Sequence, residues 1–208
     1  MRDSILSSEK PTIFTIGHSN HSLEDFLALI NQHNIATLAD VRSSPYGRLE
    51  HFNREIIAAA LKAAGIEYIF MGRELGARRE EQECYENGMA VYEKIANLPA
   101  FQEGLSRLHQ LALKSPLTVM CAEKEPLDCH RTILICRHLR DSGLQIKHIL
   151  ADGALEDHAR TEKRLVKKMG IERTLFEPDL SEEEIIRRAY DKRGQETAFR
   201  YNYEEMTQ

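Results

Sequence analysis

Five times along the chain, a short run rich in β-branched and aromatic residues ends at a glycine, an aspartate or a cysteine. A loop or a helix-forming stretch then follows. The runs are residues 12–16, 35–41, 66–71, 117–121 and 145–150. Near-continuous apolar runs of this length suit strands buried on both faces. Their alternation with helices predicts an α/β fold: a mostly parallel sheet of about five strands, helices on both faces in three layers, and right-handed crossovers. Helices are expected after Ser22, over 55–64, near 89–96 and 100–113, from Asp128 to Ser142, and over 156–169. Ser22 with Asp25 and Ser181 with Glu184 have capping-box spacing, the second opening a short last helix. Gly65, Gly143 and Gly170 suit helix stops. Residues 72–87 are expected to be a charged loop, and the tail after Gly194 loosely packed.

A chain of 208 residues fits an N-terminal extension (1–11), one α/β domain (12–170) and a C-terminal helix and tail (171–208). No apolar run reaches the roughly 18–20 residues of a bilayer span. MRDSILSSEK lacks the apolar centre of a secretory signal. A cytoplasmic protein without membrane partners is therefore expected. Four cysteines in this length do not suggest a disulfide framework. The net charge of −5 argues against bulk, sequence-independent nucleic-acid binding. Arginine outnumbers lysine 18 to 10, and arginine is the better fork for carboxylate or phosphate.

In open α/β sheets, ligands bind beyond the carboxyl ends of the strands. Seven arginines follow strand ends: Arg42, Arg48, Arg54, Arg73, Arg78, Arg79 and Arg131. Gathered on one rim, they would hold an anion with help from helix N-termini. Scattered, they are loop charges paired with Glu74, Glu80, Glu81 and Glu83. The densest constellation is CAEKEPLDCHR, residues 121–131. A strand delivers Cys121, a loop carries Glu123 and Lys124, and Asp128 is placed to cap a helix whose first turn holds Cys129, His130 and Arg131. A thiolate is favoured at a helix N-terminus beside histidine or arginine. Taken singly, Cys121 reads as a small core residue and His130 as a surface one. Together they point to a site. Cys136 reads as core and Cys84 as an incidental thiol. At the first strand end, Gly17 allows close approach of a ligand, and the GHS turn offers N–H groups, His18 and Ser19 to an anion. Asp40 is placed to pair with Arg42 or to orient a histidine. Tyr46 reads as a pocket wall or as packing.

Three functions follow. The first is an enzyme in which Cys121, Cys129, His130, Glu123 and His18 carry the chemistry. Ser19, Asp40, Arg42, Arg48, Arg73, Lys124 and Arg131 then hold a small anionic ligand or a nucleic-acid component. The second is a binding module using the same rim without chemistry. The third is a metal site on Cys121, Cys129, His130 and the His18/His21 pair. The seven residues between Cys121 and Cys129 are not zinc-ligand spacing, so no residue is assigned to a metal. No cofactor is identified.

TIGHSN, LADVRSSPYGR, YIFMGRELG and CAEKEPLDCHR, from Thr12 to Asp152, resemble the domain-of-unknown-function family numbered 488. The resemblance implies a small cytoplasmic α/β domain. It places His18, Ser19, Asp40, Arg42, Arg48, Cys121, Glu123, Cys129, His130 and Arg131 in family motifs without giving them roles. A weaker likeness is to rhodanese-type domains, in which a strand ending Asp-Val-Arg precedes a strand–Cys–loop–helix unit. Here the compact glycine-containing loop after the cysteine is replaced by a longer, charged segment.

Overall fold

The computed structural model describes residues 10–173 and 179–201. Most of the expected extension (1–9) and the last part of the tail (202–208) lie outside the described residues. The main sheet has six strands: β1 (Thr12–Gly17), β2 (Thr37–Asp40), β3 (Glu67–Phe70), β6 (Leu117–Cys121), β7 (Gln145–Ile149) and β8 (Leu155–Asp157). Their spatial order is β3-β2-β6-β1-β7-β8. The first five are parallel, as the alternating pattern predicts, and β8 runs antiparallel to β7. A two-stranded ribbon, β4 (Tyr85–Glu86) with β5 (Met89–Ala90), lies apart from this sheet.

The helices are α1 (Leu23–Gln32), α2 (Arg54–Ala63), α3 (Gly72–Leu75), α4 (Tyr92–Ala96), α5 (Pro99–Ala112), α6 (Arg137–Leu139), α7 (His158–Met169) and α8 (Glu182–Thr197). A π-helical stretch, Arg131–Cys136, runs directly into α6. Ser22 and Ser181 cap α1 and α8 with their side chains. None of the described helices is long and apolar enough to cross a membrane.

Strand alternation sorts the core onto two faces. Ile16, Leu38 and Met120 pack with Phe26 and Ile30 of α1 and with Ile57 and Leu61 of α2. Ile13, Ala39, Leu117, Val119 and Cys121 pack on the other face with Leu105 of α5, Ile133, Leu165 of α7 and Tyr190 of α8. Cys121 shares parity with Leu117 and Val119. It therefore points to the face covered by the helix that starts at His130.

Several expected boundaries move for local reasons. Residues 156–157, expected to open a helix, belong to β8 (Leu155–Asp157). The turn closed by Leu150 N–H to the Ala154 carbonyl, with Gly153 at φ 84°, folds them back onto β7. Residues 72–87 are not loop throughout, since α3, a 3₁₀ turn and β4 lie within them. The last helix is long rather than short. Glu184 pairs with Arg187 and Arg188, and Arg193 with Glu196, which supports the helix through Gly194. Beyond it the chain is tied down: Ala90 N–H donates to the Phe199 carbonyl and Tyr201 N–H to the Gly88 carbonyl.

One buried polar chain fixes α7 and α8 to the sheet. Tyr190 Oη donates to Glu162 Oε1 at 3.0 Å, so it accepts from His158 Nε2 at 3.0 Å. His158 Nδ1 then accepts from His148 Nε2 at 2.9 Å, and His148 Nδ1 from Thr15 Oγ1 at 2.8 Å. Both imidazoles are thereby held neutral. Burial, with Arg140 nearby, lowers His158 from 6.5 to about 4. The folded value lies below the unfolded one. This contribution is therefore complete above about pH 6.5 and is lost as pH falls towards 4. It amounts to about 3 kcal/mol at most. The urea midpoint should fall over this window more steeply in the native protein than in His158→Gln. Equal slopes would count against the assignment.

Candidate functional site

The loop leaving β6 folds back through the 3₁₀ turn Pro126–Asp128 and returns the chain to the strand end. Cys129, not Asp128, is the N-cap of the following helix. Its backbone is extended (φ −131°, ψ 140°), and its carbonyl accepts from Thr132 and Ile133 N–H at 3.1 Å. Its sulfur accepts the Arg131 main-chain N–H at 3.4 Å, in the role an N-cap oxygen usually fills. Asp128 instead ties the loop to Lys168 of α7 and Arg193 of α8.

Four groups meet beside that helix start. Cys121 Sγ lies 3.1 Å from Glu123 Oε2 and 3.5 Å from His130 Nδ1, and Cys129 Sγ lies 2.9 Å from Glu123 Oε2. His130 Nε2 is held on the Val41 carbonyl at 3.1 Å, so Nδ1 turns towards the sulfurs. Ligand atoms of Cys121, Glu123, Cys129 and His130 all lie within 4.8 Å of one another. The wide spacing in the chain therefore does not prevent convergence, because the loop doubles back. His18 and His21 are not members of this cluster.

A buried cation stands behind the cluster. Arg131 is fully buried, its guanidinium bonded to the carbonyls of Glu123 at 2.6 Å and Lys124 at 3.3 Å. Burial would raise the Cys129 thiol, but the bond to Cys121 and the charges of Arg131 and His130 outweigh it and hold Cys129 low. Cys121 is pushed up by its bond to Cys129 and by burial. Partial burial of its carboxyl and the facing Cys129 also raise Glu123. Burial works against the charged form of His130, yet its contact with Cys129 prevails and raises it.

A second buried unit stands at the end of β2. Asp40 Oδ1 accepts Arg42 N–H at 3.1 Å and Arg42 Nε at 2.9 Å. Asp40 Oδ2 accepts Arg42 Nη2 at 2.6 Å and Tyr68 Oη at 2.8 Å. Arg42 also reaches the Phe52 carbonyl at 2.9 Å and His18 Nε2 at 3.4 Å. His18 stacks on Phe52 and bonds through Nδ1 to the Ser19 carbonyl at 2.9 Å. Burial, then Arg42, lower it from 6.5 to about 4, so its imidazole is neutral near pH 7.

These units open onto a cavity of about 610 Å³ at the carboxyl ends of β1, β2 and β6. Of the expected residues, Cys121, Glu123, His130, His18, Ser19, Arg42, Arg48 and Lys124 line it. Cys129, Asp40 and Arg131 stand behind the wall. Asp40 is bonded to Arg42 and Tyr68, and Arg131 to loop carbonyls, and neither lines the cavity. Arg73 is exposed outside the cavity lining. Arg79 grips Glu81 and the Arg73 carbonyl, a structural pair, whereas Arg78 lines the cavity and lies over Phe199. Two expectations for the GHS turn fail. The space beside Gly17 is taken by the Glu123 carbonyl, 1.9 Å from where a Cβ would stand. The N–H groups of His18 and Ser19 are used by the carbonyls of Cys121 and Ala122, at 2.9 Å each.

Sequence reasoning missed part of the wall. Tyr92, Thr197 and Phe199 line it from distant segments, and Ser43 and Ser44 from within the SSPYGR motif. Only the serines carried a signal, their positions one and two residues beyond Arg42.

Neither the curated proteins nor the solved structures offer a match to this chain. A family model, "Domain of unknown function DUF488", matches residues 22–137. That span is more than half of the 208 residues. It begins after the TIGHSN motif and holds both the Asp40–Arg42 pair and the four-residue cluster. The chain belongs to the DUF488 family.

Proposed function

We propose that this protein is an enzyme acting on a small phosphate-bearing or otherwise anionic substrate, a nucleotide or nucleic-acid component included. The substrate sits in the 610 Å³ cavity, and the Cys121–Glu123–Cys129–His130 cluster is the reactive centre at its floor. The observation that carries this reading is the meeting of two features in one place. A sulfur, a carboxylate and an imidazole within hydrogen-bond reach open directly onto a cavity with a cationic rim. Arg48 and Lys124 are exposed on that rim, and among the described residues neither side chain has a recorded acidic partner. A simple anion clamp needs no such sulfur pair. Glu123 and His130 supply groups able to exchange protons next to Cys121. Arg42, oriented by Asp40, adds a fixed positive charge on the wall.

Inorganic phosphate and a panel of phosphate esters and nucleotides are suitable probes. Phosphate should raise the melting temperature at low salt, and the effect should shrink as salt rises. The double variant Arg48→Ala/Lys124→Ala should bind about tenfold or more weakly, on the order of 1.4 kcal/mol or above. Unchanged binding would overturn the cavity assignment. Cys121→Ser should keep phosphate binding and lose turnover of whichever panel member is converted. Turnover equal to the native protein's would overturn the role given to Cys121, and conversion of no panel member by the native protein would leave a binding module rather than an enzyme.

A further inference from the structure

The four groups at the cavity floor stand close to the geometry of a metal centre. A tetrahedral zinc sphere with Zn–S of about 2.3 Å and Zn–N or Zn–O of about 2.0–2.1 Å has donor–donor edges of about 3.3–3.8 Å. The Cys121–His130 edge, 3.5 Å, falls in that range, while Glu123–Cys129 at 2.9 Å and Glu123–Cys121 at 3.1 Å are shorter, so the exposed carboxylate draws back by a few tenths of an ångström to admit an ion. All four donors fall within 4.8 Å of one another. We infer that Cys121, Cys129 and His130 bind a zinc-class divalent cation at the cavity floor, with Glu123 on the fourth, cavity-facing position. The inference rests on the reactive centre proposed above and says what that centre holds.

Three further observations support it. First, His130 is oriented as metal-binding histidines are, with one ring nitrogen on a main-chain carbonyl (Val41) and the other turned to the cluster. Second, the surroundings supply the charge logic. Cys121, Cys129 and Glu123 offer three acidic side chains around one fully buried guanidinium, Arg131. With all three ionised, two negative charges remain, which is what a dication neutralises. Third, the donors differ in access. Cys121 and Cys129 are buried, while Glu123 is exposed on the cavity side. Three fixed ligands and one reachable position make a reactive site rather than a closed structural one. Two sulfurs and an imidazole select zinc-like ions over magnesium or calcium.

The test uses the full chain, stripped with a chelator and titrated with zinc or cobalt. One ion per chain should bind. Cobalt should give a thiolate-to-metal charge-transfer band and the visible bands of tetrahedral coordination. Zinc should slow alkylation of Cys121 and Cys129 and leave Cys84 and Cys136 unchanged. Cys129→Ser should weaken binding about 100-fold or more, and Cys84→Ser should not change it. If Cys129→Ser fails to fold, the titration and the alkylation pattern of the native protein decide. The absence of a stoichiometric site for both ions overturns the inference, and so does a cobalt spectrum without the charge-transfer band. In either case the enzyme reading stands if Cys121→Ser abolishes turnover. A well-formed metal site with phosphate binding unchanged in Arg48→Ala/Lys124→Ala does the reverse.

Discussion

Asp40→Ala should destabilise the protein by about 3–5 kcal/mol, among the largest effects of any single change here. The carboxylate is completely buried and takes four hydrogen bonds, three from Arg42 and one from Tyr68. Removing it strands a nearly buried guanidinium with only the Phe52 carbonyl and His18 Nε2 for partners. Much of the penalty is the desolvated charge left behind, rather than the pair's net worth. The double change Asp40→Leu/Arg42→Met should therefore recover a substantial part of the lost stability, though not the cavity's positive wall. Urea unfolding of the two variants measures this. A double variant no more stable than Asp40→Ala would show that the pair stabilises by itself and that the stranded charge is not the main penalty.

Gly17→Ala should act at least as strongly on the site. The added Cβ would stand 1.9 Å from the Glu123 carbonyl oxygen and 3.2 Å from Arg131 Nη1. That carbonyl cannot swing away cheaply, because Arg131 holds it at 2.6 Å and Cys121, two residues earlier, pairs with Gly17 in the sheet. Either β1 separates from β6 or the loop carrying Glu123 moves. The expected loss is about 3 kcal/mol, the upper part of the usual range for overpacking, together with the proposed phosphate and metal binding. Gly47→Ala, whose Cβ meets nothing within 4 Å, is the control and should be nearly neutral. Equal behaviour of the two glycine variants would refute the close-approach argument.

Local signals made much of this architecture legible. Apolar runs bounded by Gly17, Asp40 and Cys121 marked buried parallel strands, and Ser22 and Ser181 marked helix starts, because each rests on neighbours in the chain. What could not be read depends on distant pairing. β8 exists because a turn returns it to β7. The cap passes from Asp128 to Cys129 because Lys168 and Arg193, from two later helices, draw the aspartate away. The cluster was half legible. Cys121, Glu123, Cys129 and His130 stood out by density, but their convergence required knowing that the loop doubles back. Arg131 and Asp40 were expected to hold a ligand. Their full burial, with partners inside the protein, has no signature in composition.

Thr197 and Phe199 set the order in which the site comes into being. A chain emerging from the ribosome releases every strand of the sheet, and the loop with both sulfurs, before this stretch. The nascent protein thus presents the Cys121–Glu123–Cys129–His130 cluster with one side unwalled, and the enclosure is finished only once residues 197–199 have emerged.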